Sequence, residues 1–259
     1  MMKKSLSEEI SLLQHLSLKY KGVYSGKQIK KAIDKGFCLV NGRVEKYSSV
    51  KIKDSDVISF CEGGIAASSQ EGTLATVFED EWFYVFNKPS GMDSDKLSEK
   101  GYLVHRLDKP TSGLIIVAKT EEVQKSFEEM FQERQVTKNY IAMVNGVVLE
   151  STGQIDAKIG IAHQKEGQKV MKTGIGKEAL TRWKVLKRYQ RNTLIMLTPI
   201  TGRTHQLRVH MSSIGHPIIG DNQYGRREAC RLMLHAEKLM FSHPKTGKKV
   251  SFEAKRTFA

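Results

Sequence analysis

Near the start of the chain, apolar residues recur at helical spacing in two places. Ile10, Leu12, Leu13, Leu16 and Leu18 predict a first short helix. Ser25 then reads as the N-cap of a second, GKQIKKAIDKG, with Ile29, Ala32 and Ile33 facing inward and Gly36 ending the run. The pattern changes to strand–turn–strand over FCLVNGRVE, where Asn41-Gly42 is the turn signal, and VKIKDSDVISF alternates on either side of a polar turn. These elements make residues 1–62 one block. Residues 63–73, GGIAASSQEGT, are small and polar, carry no period, and read as a linker.

From Leu74 the pattern is that of a larger mixed domain, residues 74–259. WFYVFNKPSG is a strand running into a turn, and YLVHRLDKPTSGLIIVAKT is two strands around a polar loop. EEVQKSFEEMFQERQV is amphipathic at helical period, and KNYIAMVNGVV is another strand. TRWKVL and TLIMLTPI alternate weakly, again as strands. RTHQLRVHMSSIG predicts a short helix capped by Thr201 or Thr204 and closed by Gly215 ahead of Pro217. No internal repeat is visible. Strands and helices interleave without a regular βαβ period, so the expected fold class is α+β rather than doubly wound.

Charge changes the picture more than hydrophobicity does. A 39% hydrophobic content over 259 residues is ordinary for a globular chain with room for one or two domains. Lys and Arg, however, total 42 against 28 acidic residues, a net +14 with a pI near 9.6. Such an excess attracts polyanions, nucleic acid first among them. Cys38, Cys61 and Cys230 have neither zinc-site nor disulfide-framework spacing and read as small hydrophobes in a reducing compartment. The N-terminal MMKKSLSEEI acquires Glu8 and Glu9 before any apolar run, and no stretch approaches a membrane span, so a cytoplasmic protein without a membrane partner is expected.

Two polar stretches could carry chemistry. His105-Arg106-Leu107-Asp108-Lys109-Pro110-Thr111-Ser112-Gly113 sits between two apolar strands, where a scaffold presents reactive groups. By its residues alone it is equally a turn whose aspartate bonds nearby backbone amides. Thr201-Gly202-Arg203-Thr204-His205-Gln206-Leu207-Arg208-Val209-His210 offers two arginines to one site, with Arg208 three residues from both His205 and Met211; a basic solvated helix is the alternative. His205 and His210 are five apart, poor spacing for two ligands on one helical face, and no metal site is expected.

Taken together these stretches resemble the RluA-type pseudouridine synthases. Asn87-Lys88-Pro89-Ser90-Gly91 is similar to the family's opening motif, His105 to Gly113 to its catalytic-aspartate motif, and Lys138-Asn139-Tyr140 to the strand with its active-site tyrosine. Thr201 to His210, continuing through Gly215-His216-Pro217 and Gly220-Asp221…Tyr224-Gly225, resembles the third motif, and Leu232 to Ala236 the late strand. One departure is the short segment from Asp93 to Val104, without the customary Val-His-Pro. The first block resembles an S4-type RNA-binding domain through Ser25-Gly26-Lys27, Gly36…Val40-Asn41-Gly42 and Asp54…Asp56-Val57-Ile58.

The resemblance implies a mixed, mainly antiparallel sheet flanked by helices around a central RNA-binding cleft, plus a small α+β domain. It implies a cofactor-free isomerase in which Asp108 attacks or deprotonates the substrate, Arg208 holds that carboxylate, Tyr140 stacks on the uracil and Leu234 excludes water. Arg106, Arg203 and His105 would contact substrate or brace the site, and Lys27, Lys30, Lys31, Lys35 and Arg43 would contact phosphates. The expected partner is large-subunit ribosomal RNA, with transfer RNA the alternative target and a non-catalytic assembly factor the rival class. A monomer is expected.

Overall fold

The computed structural model describes residues 10–41, 43–60, 74–165, 168–225, 229 and 231–256. The linker expected at 63–73, Gly42 of the first turn, and Cys61 and Cys230 lie outside them. Two units are separable, one of Met1–Thr73 with Arg227–Cys230 and one formed by Leu74–Arg226 and Arg231–Ala259.

In the first unit, β1 (Ile10–Ser11) pairs with β4 (Lys51–Ile52), and α1 (Leu12–Lys19) begins only after Ser11. The reason is a capping box: Ser11 Oγ accepts the Gln14 amide while the Gln14 side chain accepts Ser11 N–H. Ile10 is therefore a strand residue, and Leu18, in the helix as expected, is exposed. Ser25 caps α2 (Gly26–Asp34) through the same box with Gln28. Ile29, Ala32 and Ile33 of α2 close over Leu12, Leu16, Cys38 and Ile52. β2 (Cys38–Val40) lies between β3 (Arg43–Glu45) and β5 (Ile58–Phe60). Asn41, at φ 52, donates to Asp56 and accepts Val57 N–H, tying this first turn to the second.

The second unit is built on one sheet. β6 (Ala75–Glu79), β7 (Phe83–Lys88), β8 (Tyr102–Leu103) and β9 (Ser112–Ala118) form one half. β10 (Thr137–Asn145), β11 (Thr152–Asp156), β14 (Leu180–Arg188) and β15 (Asn192–Pro199) form the other, and β16 (Leu234–Ser242) joins the halves with β17 (Lys249–Glu253) beside it. β12 (Ile159–Lys165) and β13 (Gln168–Thr173) make a separate hairpin. α3 (Glu121–Gln132), capped by Thr120, buries Val123, Phe127 and Met130 against Phe83, Leu114 and Phe241. α4 (Gln206–Ser213) sends Leu207 and Met211 into a second core with Ala142, Val144 and Ile195. Each large side chain so buried contributes about 1.5–3 kcal/mol.

Among the described strands, every pairing is antiparallel except β9 with β16, where Ser112 faces His235 and Gly113 faces Ala236. Gly113 has φ +116, and a Cβ there would lie 2.3 Å from the Ala236 carbonyl oxygen. Only glycine permits that approach. Parallel strands start at the same edge of a sheet. The loop leading into β9 and the first residue of β16 therefore emerge together, and Leu197 of β15, near the strand's exit toward α4, is in register with Tyr140. That convergence builds the cleft.

Candidate active site

Asp108 is in the loop between β8 and β9. Its backbone carbonyl accepts Thr111 N–H at 2.9 Å and makes the turn, which leaves the carboxylate free of it. The side chain points instead to Arg208, with Nη1 to Oδ2 at 3.2 Å. The chain does turn here, but through the Asp108 backbone carbonyl and not through side-chain bonds from the aspartate to nearby amides.

The segment after β7 straps this loop down. Lys88, fully buried, donates Nζ to the carbonyls of Pro89, Met92 and Lys109 at 3.1, 2.8 and 3.3 Å. Gly91 N–H reaches Lys109 O, and Ser90 Oγ reaches Pro110 O at 2.7 Å. Ser94 Oγ donates to Leu107 O at 2.8 Å and accepts Leu107 N–H at 3.1 Å. The short 93–104 segment thus folds into a 3-10 turn, Ser94–Glu99, whose first residue braces the Asp108 loop. Burial pushes the Lys88 pKa down to about 8, against the pull of Asp108 and Asp93.

Arg208, on α4, is 4% exposed and held by two acids. Asp221 grips it bidentately, Nε to Oδ2 at 2.7 Å and Nη2 to Oδ1 at 2.9 Å. Asp221 Oδ1 also accepts the amides of Gln223 and Tyr224. The Tyr224 ring lies 5.0 Å from the guanidinium carbon, and Gln223 Oε1 accepts Nη2 at 3.3 Å. Burial opposes the charge on both partners. Their mutual attraction wins, so Arg208 is held above its ordinary pKa and Asp221 below its own. Asp221, Gln223 and Tyr224 were missed as site residues, although Gly220-Asp221…Tyr224-Gly225 was visible as a motif. Lys88 was missed too. The available signal was a lysine closing an otherwise apolar strand.

A cavity of about 890 Å³ opens beside these groups, lined by Asp108, Tyr140, Arg208, Leu234 and the 200–205 loop. Tyr140, on β10, is in register with Ala236 beside a strand irregularity at Asn139/Tyr140. Burial and the nearby Asp108 charge raise its pKa, so the phenol stays protonated. Leu234, 3% exposed, begins β16 at the cavity wall.

The remaining expected residues divide. His105 lines the cavity, but its Nε2 accepts Ile116 N–H at 3.1 Å, and burial pushes its pKa down to about 3; it braces β9. Arg106 stands at the rim, largely exposed, paired with Asp95 at 3.2 Å. Arg203 Nε donates to Glu178 O at 3.0 Å, also at the rim. Lys27, Lys30, Lys35 and Arg43 are exposed on the first unit and Lys31 is half-buried. Neither Thr201 nor Thr204 caps α4. Thr201 Oγ1 accepts Leu180 N–H and donates to Gln206, and the cap is His205 in a left-handed conformation. Met211, expected to share a face with Arg208, belongs to the core. Among the described residues no group of three or more His, Cys, Asp or Glu side chains could hold a metal, and no helix is long and apolar enough to cross a membrane.

Comparison with known proteins gives this geometry a family. Residues 82–213 match the RNA pseudouridylate synthase family. The chain is 35% identical over 206 residues to a ribosomal large subunit pseudouridine synthase C of Buchnera aphidicola, covering 69% of this chain and 65% of that protein. It is 38% identical to a dual-specificity RNA pseudouridine synthase RluA of Vibrio cholerae, covering 67% of this chain and 79% of that one. The solved structure of Human RNA Pseudouridylate Synthase Domain Containing 1 superposes with a TM-score of 0.65 at 32% identity, covering 72% and 85% of the two chains. The protein whose cleft holds Asp108 against Arg208 belongs to the RluA-type family of RNA pseudouridine synthases.

Proposed function

We propose that this RNA pseudouridine synthase modifies uridines of large-subunit ribosomal RNA, with Asp108 at the reacting nucleotide, Arg208 as its holder, and Tyr140 and Leu234 lining the uracil pocket. The observation that carries the reading is one partly exposed carboxylate, 26% accessible, aimed into a cleft by a buried arginine whose own charge a second acid neutralises. Ribosomal RNA as target rests on the name of the Buchnera relative.

The reaction breaks the bond from sugar to uracil nitrogen, turns the base, and rejoins it through carbon. It is redox-neutral and needs no cofactor. Asp108 either attacks the nucleotide or removes a proton from it. Arg208 fixes its orientation by a charge-assisted bond. A phenol with raised pKa suits Tyr140 to stacking and to passing a proton through its hydroxyl, and makes it a poor free base. Leu234 keeps water from the detached base. Arg106 and Arg203, at the rim, grip the RNA backbone while the nucleotide is extruded. The first unit acts as an S4-type RNA-binding domain, its Lys27, Lys30, Lys31, Lys35 and Arg43 setting affinity through phosphates. The same reading has the protein acting in the cytoplasm as a monomer.

The test is pseudouridine mapping in ribosomal and transfer RNA from cells with and without the protein, repeated in vitro with wild type and Asp108→Asn. Sites lost only from large-subunit RNA, and restored by wild type alone, support the reading. Sites lost from transfer RNA move the target. An unchanged map with retained RNA binding leaves the non-catalytic factor.

A further inference from the structure

His205 is a strained residue with an unused face. It adopts φ +56 immediately before α4 and makes no side-chain cap, at a position where glycine or asparagine would fit without cost. Its ring forms part of the cavity wall with Asp108 and Arg208. Nδ1 lies 2.7 Å from the Tyr224 hydroxyl, which also accepts Met171 N–H at 3.0 Å.

These contacts favour one tautomer. A main-chain N–H can only donate, so Met171 occupies a lone pair of the Tyr224 oxygen. Nδ1, 2.7 Å away, is the natural acceptor for the phenol proton, and with the phenol donating a neutral His205 carries its own proton on Nε2. Burial and the Arg208 charge favour that neutral form, against Asp108 and Asp221. Tyr224, anchored to the β12–β13 hairpin through Met171, thus acts as a positioning residue that biases His205 toward the Nε2–H form.

We propose that His205 donates Nε2–H to a carbonyl oxygen of the extruded uracil. The inference rests on the pseudouridine synthase reading. A neutral donor matches a neutral carbonyl, whereas phosphates are served by the charged Arg106 and Arg203 at the rim. When the sugar–base bond breaks and its electron pair stays with uracil, the carbonyl oxygens share that charge, and the bond from His205 strengthens. No proton leaves the imidazole. A donor aimed at O4 would also reject cytosine, which presents an amino group there.

Single-turnover rates on substrate RNA made with uridine, 2-thiouridine or 4-thiouridine test this in the full chain, because sulfur accepts hydrogen bonds poorly. Wild type should slow about tenfold with sulfur at one of the two positions. His205→Gly should lose a similar factor on ordinary RNA and no longer discriminate against sulfur, while His205→Gln, which keeps a donor, should recover part of both. His205→Gly should stay folded with an unfolding midpoint near that of wild type, the relieved backbone strain offsetting the lost Tyr224 hydrogen bond. A sulfur penalty that is absent at both positions, or unchanged by His205→Gly, would overturn the proposal. Absence of any isomerisation of ordinary uridine by wild type would instead sink the functional reading beneath it.

Discussion

Arg208 has two acidic partners of very different worth, and replacing each by its amide separates them. Asp221 is wholly buried and bidentate, at 2.7 and 2.9 Å, and also holds the amides of Gln223 and Tyr224. In Asp221→Asn the amide can serve only some of these donors. Its NH2 meets an N–H of Arg208, and the buried guanidinium keeps Asp108 alone as counter-charge. Removing one partner of a buried ion pair costs about 3–5 kcal/mol, and the surviving Asp108 contact puts this case near the lower end. That is a large share of the roughly 5–15 kcal/mol that stabilises a domain. Asp108→Asn removes one bond at 3.2 Å from a side chain a quarter exposed, and leaves the bidentate grip intact, so it should cost under about 1 kcal/mol. Both variants should lose turnover. Urea unfolding followed by tryptophan fluorescence reads the difference cleanly, because Trp82 and Trp183 both lie in the second unit. An Asp221→Asn variant no less stable than Asp108→Asn would refute the claim that the buried carboxylate fixes the arginine.

Three other perturbations probe the scaffold and its reach. Gly113→Ala forces a Cβ to within 2.3 Å of the Ala236 carbonyl at a backbone angle alanine avoids, and should cost about 3 kcal/mol or more in unfolding experiments; a wild-type midpoint would show that the β9–β16 junction has slack. Lys88 is charged less readily folded than unfolded, its pKa falling from 10.5 to about 8. Between those pH values the unfolded chain binds more protons, so the stability of wild type relative to Lys88→Met should rise with pH by up to about 3 kcal/mol, and a flat difference would contradict the burial argument. Arg106→Ala should raise KM for structured RNA more than it lowers kcat on an already unstacked uridine, and equal losses on both substrates would remove its role in extrusion.

Sequence reading succeeded where a local signal and a physical need coincide. Ser25 with Gln28 both starts α2 and predicts it, and Ile29, Ala32 and Ile33 show one face because one face is buried. It failed where burial is not one-sided. β6 is mostly exposed, and β12 carries Ile161 outward, so neither alternates in a way that distinguishes strand from loop. The cap of α4 was misread for another reason. Threonines precede that helix, but Thr201 bonds to β14 and to Gln206, and the capping position is given to an imidazole that faces the cleft.

The residues that line the cleft are legible in the sequence, but their electrostatic arrangement is not. Asp108 and Arg208 are 100 positions apart, and nothing in either stretch says which acid neutralises the arginine when no RNA is bound. That work falls to Asp221, in the turn after α4, whose carboxylate must be buried for the pairing to be strong and is therefore surrounded by Gly220, Gln223 and Tyr224 rather than by other charges. The consequence bears on chemistry. Were Asp108 the sole partner of Arg208, the carboxylate proposed to react would be tied into a full ion pair and hard to release toward substrate. With Asp221 taking the bidentate grip, Asp108 keeps a single bond to a fixed positive charge, one oxygen left free, and an opening to the cavity. The second acid makes the first available.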